Sequence, residues 1–135
     1  KYGTNGNWKE YNGYSDQLEY EGEYLNGKRN GKGKEYEEGI LIFEGEYLNG
    51  KRLGKGKEYE EGILIFEGEF LNGERNGKGK EYGYKEHIIF EGEYLNDERH
   101  GKGKEYSCDG KIVFDGEYLN GEKMEKEDIM IMNAK

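Results

Sequence analysis

A sequence motif that occurs five times along the chain constrains its fold more than any other feature. The copies open at Tyr20, Phe43, Phe66, Phe90 and Phe114, so successive copies start 23, 23, 24 and 24 residues apart. Each of the first four combines an aromatic-x-Gly-x-aromatic stretch, an Asn-containing turn and a later Gly-x-Gly stretch. Repeats of about this length build stacked arrays in which each unit contacts only its neighbours.

The composition favours a thin array over a thick hydrophobic core. Charged residues make up 38% of the 135 residues and the net charge is −9, a balance that by itself is typical of disordered chains. The aromatic residues (14%) and the 24 glycines nevertheless keep fixed positions in every copy, which argues for an ordered repeat. The acidic balance disfavours nucleic acid as a partner.

Each copy is predicted to form two β-strands. From Phe43 to Tyr47, aromatic residues or glycine alternate with glutamate, which is the two-residue period of a strand. Asn49-Gly50 then favours a hairpin turn, and residues 54–59 form the return strand. We predict that Glu60-Glu61-Gly62 is a three-residue loop closed by a bulge. Because all connections are short, neighbouring strands must be antiparallel. The predicted fold is all-β: an elongated, single-layer, twisted antiparallel meander with one hairpin per repeat.

Two hairpin registers fit the sequence equally well. A two-residue turn pairs Phe43 with Gly56, whereas a four-residue loop pairs Tyr47 with Gly54. Either way the rings and the strand glycines share one face, and the Glu and Lys residues between them share the other. Each ring can then cover the bare backbone of a glycine beside it.

The aromatic face is the predicted protein-binding surface, because a single sheet cannot bury both of its faces. An exposed aromatic strip of this kind could hold an extended or helical peptide. The candidate protein-binding residues are Phe43, Tyr47, Phe66, Phe70, Phe90, Tyr94, Phe114 and Tyr118.

The basic residues fall into two groups. The lysines of the Gly-Lys-Gly-Lys stretches lie inside a strand, not between a strand and a helix, so they are not a phosphate-binding loop. We expect them to pair with glutamates across the strands, with lipid phosphates as the alternative. The arginines near the turns are less obviously neutralised, and they are the better candidates to contact a lipid or an acidic partner. They are Arg29, Arg52, Arg75 and Arg99.

The two ends depart from the repeat. Residues 1–19 are predicted to be a degenerate half-repeat or cap in which Trp8 replaces the second glycine, and residues 20–121 form the array. Residues 122–135 are a degenerate cap, for which a blunted edge strand and a short helix both remain open.

No catalytic, metal or cofactor site is predicted. The two histidines, His87 and His100, and the single Cys108 lie in or beside turns, apart from any partner for a metal cluster. The acidic residues repeat identically from unit to unit, whereas acid–base catalysis requires groups that are tuned differently.

These recurring residues resemble the MORN repeat (membrane occupation and recognition nexus). The resemblance covers roughly residues 18–121, and the units opening at Tyr20, Phe43, Phe66 and Phe90 follow the pattern almost throughout. Asp97 in place of a turn glycine and the altered fifth unit are departures. The resemblance implies an open antiparallel sheet that serves as a scaffold in cytoskeletal, ciliary or membrane-associated assemblies.

The expected function is that of a non-enzymatic scaffold or adaptor that binds protein, including a second copy of itself. The alternatives are a peripheral phosphoinositide-binding module and the accessory repeat domain of a larger enzyme. The resemblance implies a cytoplasmic location with cytoskeletal or ciliary association. Because the sequence begins at Lys1, partway through a repeat, we expect it to be a piece of a longer protein.

Overall fold

The computed structural model describes residues 5–134, except for the side chain of Lys126. Eleven strands form one sheet and are ordered in space as they are in sequence, β1 to β11, with every neighbouring pair antiparallel. The sheet stays open, and this confirms the predicted all-β meander. Residues 1–4 of the predicted N-terminal cap, and Lys135, lie outside the described range.

The strands and helices have the following bounds. The strands are β1 (Gly6–Tyr11), β2 (Leu18–Leu25), β3 (Lys28–Glu37), β4 (Ile40–Leu48), β5 (Lys51–Glu60), β6 (Ile63–Leu71), β7 (Glu74–Tyr82), β8 (Ile88–Leu95), β9 (Glu98–Tyr106), β10 (Ile112–Leu119) and β11 (Glu122–Lys123). A short 3₁₀ turn (Tyr84–Glu86) precedes β8, and one α-helix, α1 (Lys126–Asn133), follows β11.

In the first two units both kinds of connection are two-residue turns, whereas the connections after β7 and β9 have five residues. Asn49 and Gly50 have φ of 50° and 88°, the left-handed conformation that a type I′ turn requires at both central positions. Glu61 and Gly62 adopt the same conformation, with φ of 52° and 81°. The prediction of a three-residue loop at the second turn is therefore wrong.

The bulge that accompanies the second turn lies further along the strand. Glu58 pairs with Phe66 and Tyr59 pairs with Leu64, so Ile65 is the extra residue. The turn itself needs no bulge, because a left-handed Glu61 gives it the twist that the two strands require.

Both registers left open by the sequence occur within one hairpin. Next to the turn Tyr47 pairs with Arg52, as a two-residue turn requires, whereas further out Gly45 pairs with Gly56. Two steps along β4 therefore correspond to four steps along β5, around Gly54, whose φ is 84°. Because the shift is an even number of residues, each side chain stays on the face that the alternation predicts.

The first strand repeats the geometry of a return strand. Trp8 pairs with Gly22 in the same way that Gly33 pairs with Gly45. The ring of Trp8 contacts that of Tyr24, with the centroids 6.5 Å apart. Trp8 therefore stands at a glycine position, at the first edge of the sheet.

The last hairpin does not form a full return strand, because two of the strand glycines are missing. Glu125 and Glu127 stand where Gly54 and Gly56 stand in the second unit. A Cβ atom at Gly56 would lie 2.5 Å from the ring of Phe43, so a side chain cannot occupy the equivalent place beside a ring. The chain forms only the two residues of β11 and then turns into α1. An edge strand and a short helix thus occur in succession.

Helix α1 is short and exposed. Glu125 and Asp128 form a capping box at its start, and Met130, Ile131 and Met132 are all more than half exposed. No helix of the described chain is long and apolar enough to cross a membrane.

Candidate functional site

One face of the sheet, the ringed face, carries a continuous series of aromatic side chains. Neighbouring rings meet edge to face: Phe43 lies 5.7 Å from Tyr47 and 5.2 Å from Phe70, at interplanar angles of 83° and 85°. The series includes Trp8, Tyr20, Tyr24, Phe43, Tyr47, Phe66, Phe70, Phe90, Tyr94, Phe114 and Tyr118. Such pairs stabilise a fold by about 0.5–1.5 kcal/mol each beyond the area they bury.

The strand glycines lie directly beneath these rings. A Cβ atom would lie 2.8 Å from Cζ of Phe43 if placed on Gly45, and 2.5 Å if placed on Gly56. Real Cβ atoms do not approach other atoms so closely, so only glycine lets the ring rest on the backbone. The predicted reason for the glycines is confirmed.

The candidate protein-binding rings are buried. Phe43, Phe66 and Phe90 have no exposed surface. Phe70, Tyr47, Tyr94 and Tyr118 are between 2% and 4% exposed, and Phe114 in the last unit is partly buried. The prediction that the rings form an exposed strip is wrong, although their role in binding stays a prediction.

Arginine side chains cover the rings. The central guanidinium carbon of Arg52 lies 4.0 Å from the centroid of the Phe43 ring, a cation–π contact. Arg52 also donates two hydrogen bonds to Glu35, of 2.9 and 3.1 Å, and lies 3.5 Å from Glu58. Arg29, Arg75 and Arg99 lie in the same way over Tyr20, Phe66 and Phe90.

The expectation that the arginines are the least neutralised cations is also wrong. Arg29 pairs with Glu10 and Glu35, and Arg99 with Glu81 and Glu105. Arg75 pairs with Glu58 at 2.7 Å. Contact between the arginines and a lipid stays a prediction, but no unpaired guanidinium among these four supports it.

Alternation along β5 explains this arrangement. Arg52 pairs across the strands with Tyr47, and Glu58 lies two residues beyond Gly56, so both side chains project on the ringed face. The same count could have located them from the sequence. Arg52 stands only two residues after Gly50, however, so the sequence by itself does not distinguish a residue of the turn from a residue of the strand.

Tyrosine hydroxyls complete the cover. Tyr47 donates to Glu35, and Tyr94 to Glu81. Burial alone would raise the pKa of Glu35, but hydrogen bonds from Arg52 and Tyr47 outweigh it and hold that pKa below its usual value. The buried Tyr47 has a raised pKa for the complementary reasons: burial and its bond to the Glu35 carboxylate.

The opposite face, the groove face, carries lysine and glutamate in alternate strands. Lys57 of β5 pairs with Glu44 of β4 and with Glu67 of β6, and Lys55 pairs with Glu69. We call the exposed lysines of this face the groove lysines. They are Lys32, Lys34, Lys55, Lys57, Lys78, Lys80, Lys102 and Lys104.

The groove lysines stand opposite carboxylates without forming ion pairs with them. Every ion pair found among the described side chains involves an arginine, Lys111 or Lys123. The predicted lysine–glutamate pairs therefore lie opposite each other in the strand register, but their side chains do not form ion pairs.

Tyrosines and backbone amides bind the carboxylates instead. Tyr59 donates to Glu44 at 3.0 Å, Tyr82 to Glu67 at 2.8 Å, and the Lys78 backbone N–H to Glu69 at 2.9 Å. A tyrosine hydroxyl is already protonated at neutral pH, and burial with the bond to Glu44 raises the pKa of Tyr59 further, to about 12. These three glutamates thus have partners within the sheet, whereas the ammonium groups of the groove lysines remain free to bind other groups.

A groove of about 870 Å³ runs across the strands on this face, from Glu44 in β4 to Asp115 in β10. A smaller groove of about 390 Å³ lies next to it, over β2 to β5. Strand glycines form part of the lining of both, and groove lysines with glutamates form the rest. The leucine that precedes the hairpin turn of each unit is between 41% and 48% exposed. These leucines are Leu25, Leu48, Leu71, Leu95 and Leu119.

The sheet is built from stacked hairpins, in each of which aromatic rings pack on strand glycines, and its two faces differ in chemistry. These features define an open-sheet β-repeat protein. The chain belongs to the MORN-repeat family: the MORN repeat model matches residues 20–39, 43–62, 66–85 and 90–112. The matches end before Phe114, where the unit lacks its later glycines. None of the curated proteins compared with the chain matches it significantly.

Proposed function

We propose that this chain is a non-catalytic scaffold that binds a protein segment in the groove. Its MORN repeats mark it as an interaction or membrane-associated module. The observation that carries the finer proposal is the contrast between the faces: the rings are buried under ion pairs, whereas the groove lysines are exposed and unpaired. The docking surface is therefore the groove face rather than the rings.

The ringed face is the weaker candidate, because a partner would have to displace its cover. Opening Phe43 to a ligand would break the contacts of Arg52 with Glu35 and Glu58. Breaking such partly buried, charge-assisted hydrogen bonds costs about 1.5–3 kcal/mol for each group left unpaired. The groove face requires no such rearrangement.

The repetition of the polar contacts supports a binding role over a catalytic one. Tyr36, Tyr59, Tyr82 and Tyr106 each donate to the glutamate at the same position of their unit. Catalysis by carboxylates depends on placing unlike groups in unlike environments. A row of equivalent groups is instead suited to contacting a long partner at many points. We place this scaffold in the cytoplasm, in an assembly of cytoskeletal, ciliary or membrane-associated type.

Amine-reactive crosslinking of the native assembly, read by mass spectrometry, tests the proposal. We expect the groove lysines to crosslink to a partner protein. The double variant Lys57→Gln with Lys80→Gln should lose that partner. The matched control, Lys85→Gln with Lys111→Gln, removes the same charge from two exposed lysines between strands and should retain it.

Flotation with anionic vesicles distinguishes the lipid-binding alternative. Flotation that depends on Lys57 and Lys80, with no protein crosslinked at the groove, would replace the proposal with a lipid-binding function. Partner binding that survives the groove double variant, with the variant still folded by circular dichroism, would also contradict it.

A further inference from the structure

The groove lysines form two rows, and each row has one lysine per hairpin. In one row, each lysine lies opposite an acidic residue in the first strand of the next unit, at the same position each time. The lysines of this row are Lys34, Lys57, Lys80 and Lys104. Adjacent strands lie about 4.8 Å apart, so one lysine follows another about every 9.6 Å along the groove. A long ligand that lies across the strands therefore meets a free ammonium group at a regular interval.

An extended peptide has nearly the same period. In the polyproline II conformation a chain rises about 3.1 Å per residue with three residues per turn, or about 9.3 Å per turn. We propose that the groove binds an extended protein segment that carries an acidic side chain at every third position. Each acidic side chain meets one groove lysine, and about ten residues reach all four. The inference rests on the proposed function and names the class of partner.

The occupied glutamates explain why the partner's acidic groups can use these lysines. Glu44 and Glu67, on either side of Lys57, accept hydrogen bonds from Tyr59 and Tyr82. The ammonium group of Lys57 is left with its donors free. The residues between the partner's acidic positions must not be acidic, because they pass the strands that carry Glu44 and Glu67.

Other occupants fit the spacing less well. An α-helix rises 1.5 Å per residue, so one hairpin corresponds to about 6.4 residues, which is between one and two helical turns. Acidic side chains at that interval would not stay on one side of the helix. A lipid bilayer presents mobile headgroups without a fixed spacing, so its binding would not depend on the regular spacing of the groove lysines.

The net charge of the chain makes the spacing decisive. At −9 the protein repels an acidic peptide at long range, and salt at physiological strength screens charges beyond about 8 Å. Attraction therefore comes from direct contact with individual lysines. A peptide with the same number of acidic residues in the wrong places should gain little from them.

Fluorescence anisotropy with labelled synthetic peptides and the whole chain tests this inference. The first peptide carries Glu at every third position with Pro and Ser between, and the second has the same composition with all its Glu residues contiguous. We expect the first to bind about tenfold more tightly, and Lys57→Gln with Lys80→Gln to weaken it about tenfold. Lys85→Gln with Lys111→Gln should change its affinity less than about twofold.

The outcomes separate this inference from the proposed function. Equal affinity of the two peptides, or no loss in the groove variant, overturns the inference. If the spaced peptide fails to bind while a native partner still crosslinks to the groove lysines, the scaffold function stands and the acidic partner is wrong. Equal binding of free inositol phosphate and the spaced peptide, with both lost in the groove variant, assigns the groove to phosphate and also overturns it.

Discussion

Arg52 lies over the ring of Phe43, with its guanidinium carbon 4.0 Å from the ring centroid, and binds Glu35 of the preceding hairpin. This pair of contacts links two hairpins and covers the ring that lies on Gly56. A single-layer sheet can therefore bury its aromatic side chains without a second layer. The stability of the array should depend on three elements: the glycine, the ring and the ion pair above it.

Replacing a strand glycine should be costly where a ring lies on it. Gly56→Ala places a Cβ atom 2.5 Å from Phe43 and 3.2 Å from Phe70, so we expect a loss of about 1–3 kcal/mol in the free energy of unfolding. Urea denaturation measures it. The control Gly13→Ala, where no atom lies within 4 Å, should change stability by less than about 0.5 kcal/mol. Equal effects of the two would show that the rings do not need the glycines.

Removing one covering arginine should destabilise the sheet more than removing an exposed lysine. Arg52→Gln removes two charge-assisted hydrogen bonds to Glu35 and the contact with Glu58, which are 17% and 22% exposed, at a cost of about 1.5–3 kcal/mol. Glu35 keeps its contact with Arg29, and Glu58 keeps its contact with Arg75. The neighbouring Lys51→Gln should cost less than about 1 kcal/mol. A double-mutant cycle of Arg52→Gln with Glu35→Gln measures the coupling, and a coupling energy near zero would contradict the role of the ion pair.

The third unit offers a stabilising substitution. Phe70 occupies the position at which Tyr47 and Tyr94 donate hydrogen bonds to Glu35 and Glu81, and Glu58 is the equivalent acceptor. We expect Phe70→Tyr to raise the free energy of unfolding by about 1 kcal/mol and Tyr47→Phe to lower it by about as much. Thermal and urea unfolding of the two variants provide the test. A destabilised Phe70→Tyr protein would show that the added hydroxyl group does not reach Glu58.

Acid should weaken the ringed face. The pKa of Glu35 is lowered in the folded chain from its usual 4.5, because the bonds from Arg52 and Tyr47 outweigh the effect of burial. Its contribution to stability is thus present above about pH 4.5 and is lost as the pH falls through the folded pKa. The stability difference between the native chain and Glu35→Gln, measured by urea denaturation from pH 7 to pH 3, should shrink below pH 4.5. A difference that grows would contradict this sign.

Alkali should also weaken the fold, through the tyrosines. Burial raises the pKa of Tyr20 from 10.0 to about 12, and burial with a hydrogen bond to Glu44 does the same for Tyr59. Their contribution is complete below pH 10 and is lost as the pH rises from 10 towards 12. Tyrosinate absorbance and circular dichroism, followed together, should show these two side chains ionising with unfolding. The contribution of Tyr59 should be absent in Tyr59→Phe. Ionisation of Tyr20 and Tyr59 near pH 10 in a folded chain would contradict the prediction.

Several features of the sheet followed from the sequence alone. The spacing of the copies predicted stacked hairpins, Asn49-Gly50 predicted a tight turn, and the alternation around Gly45 and Gly56 placed the rings on glycine. These features depend only on local chain geometry and on the two-residue period of a strand, so the order of residues specifies them. The face assignment held even though the hairpin shifts register at Gly54, because the shift is even.

The tertiary structure alone decided which groups are free. By the sequence, the arginines were the unpaired cations and the lysines were paired with glutamate, whereas in the sheet the opposite holds. Arg52 reaches Glu35 in the preceding hairpin, and Tyr59 takes the carboxylate of Glu44 that Lys57 faces. A strand pattern specifies the face on which a side chain lies, but the partner of a long side chain depends on the distances between neighbouring hairpins. Those distances are set only when the hairpins stack in the folded sheet. The same stacking forms the groove and leaves its lysines exposed.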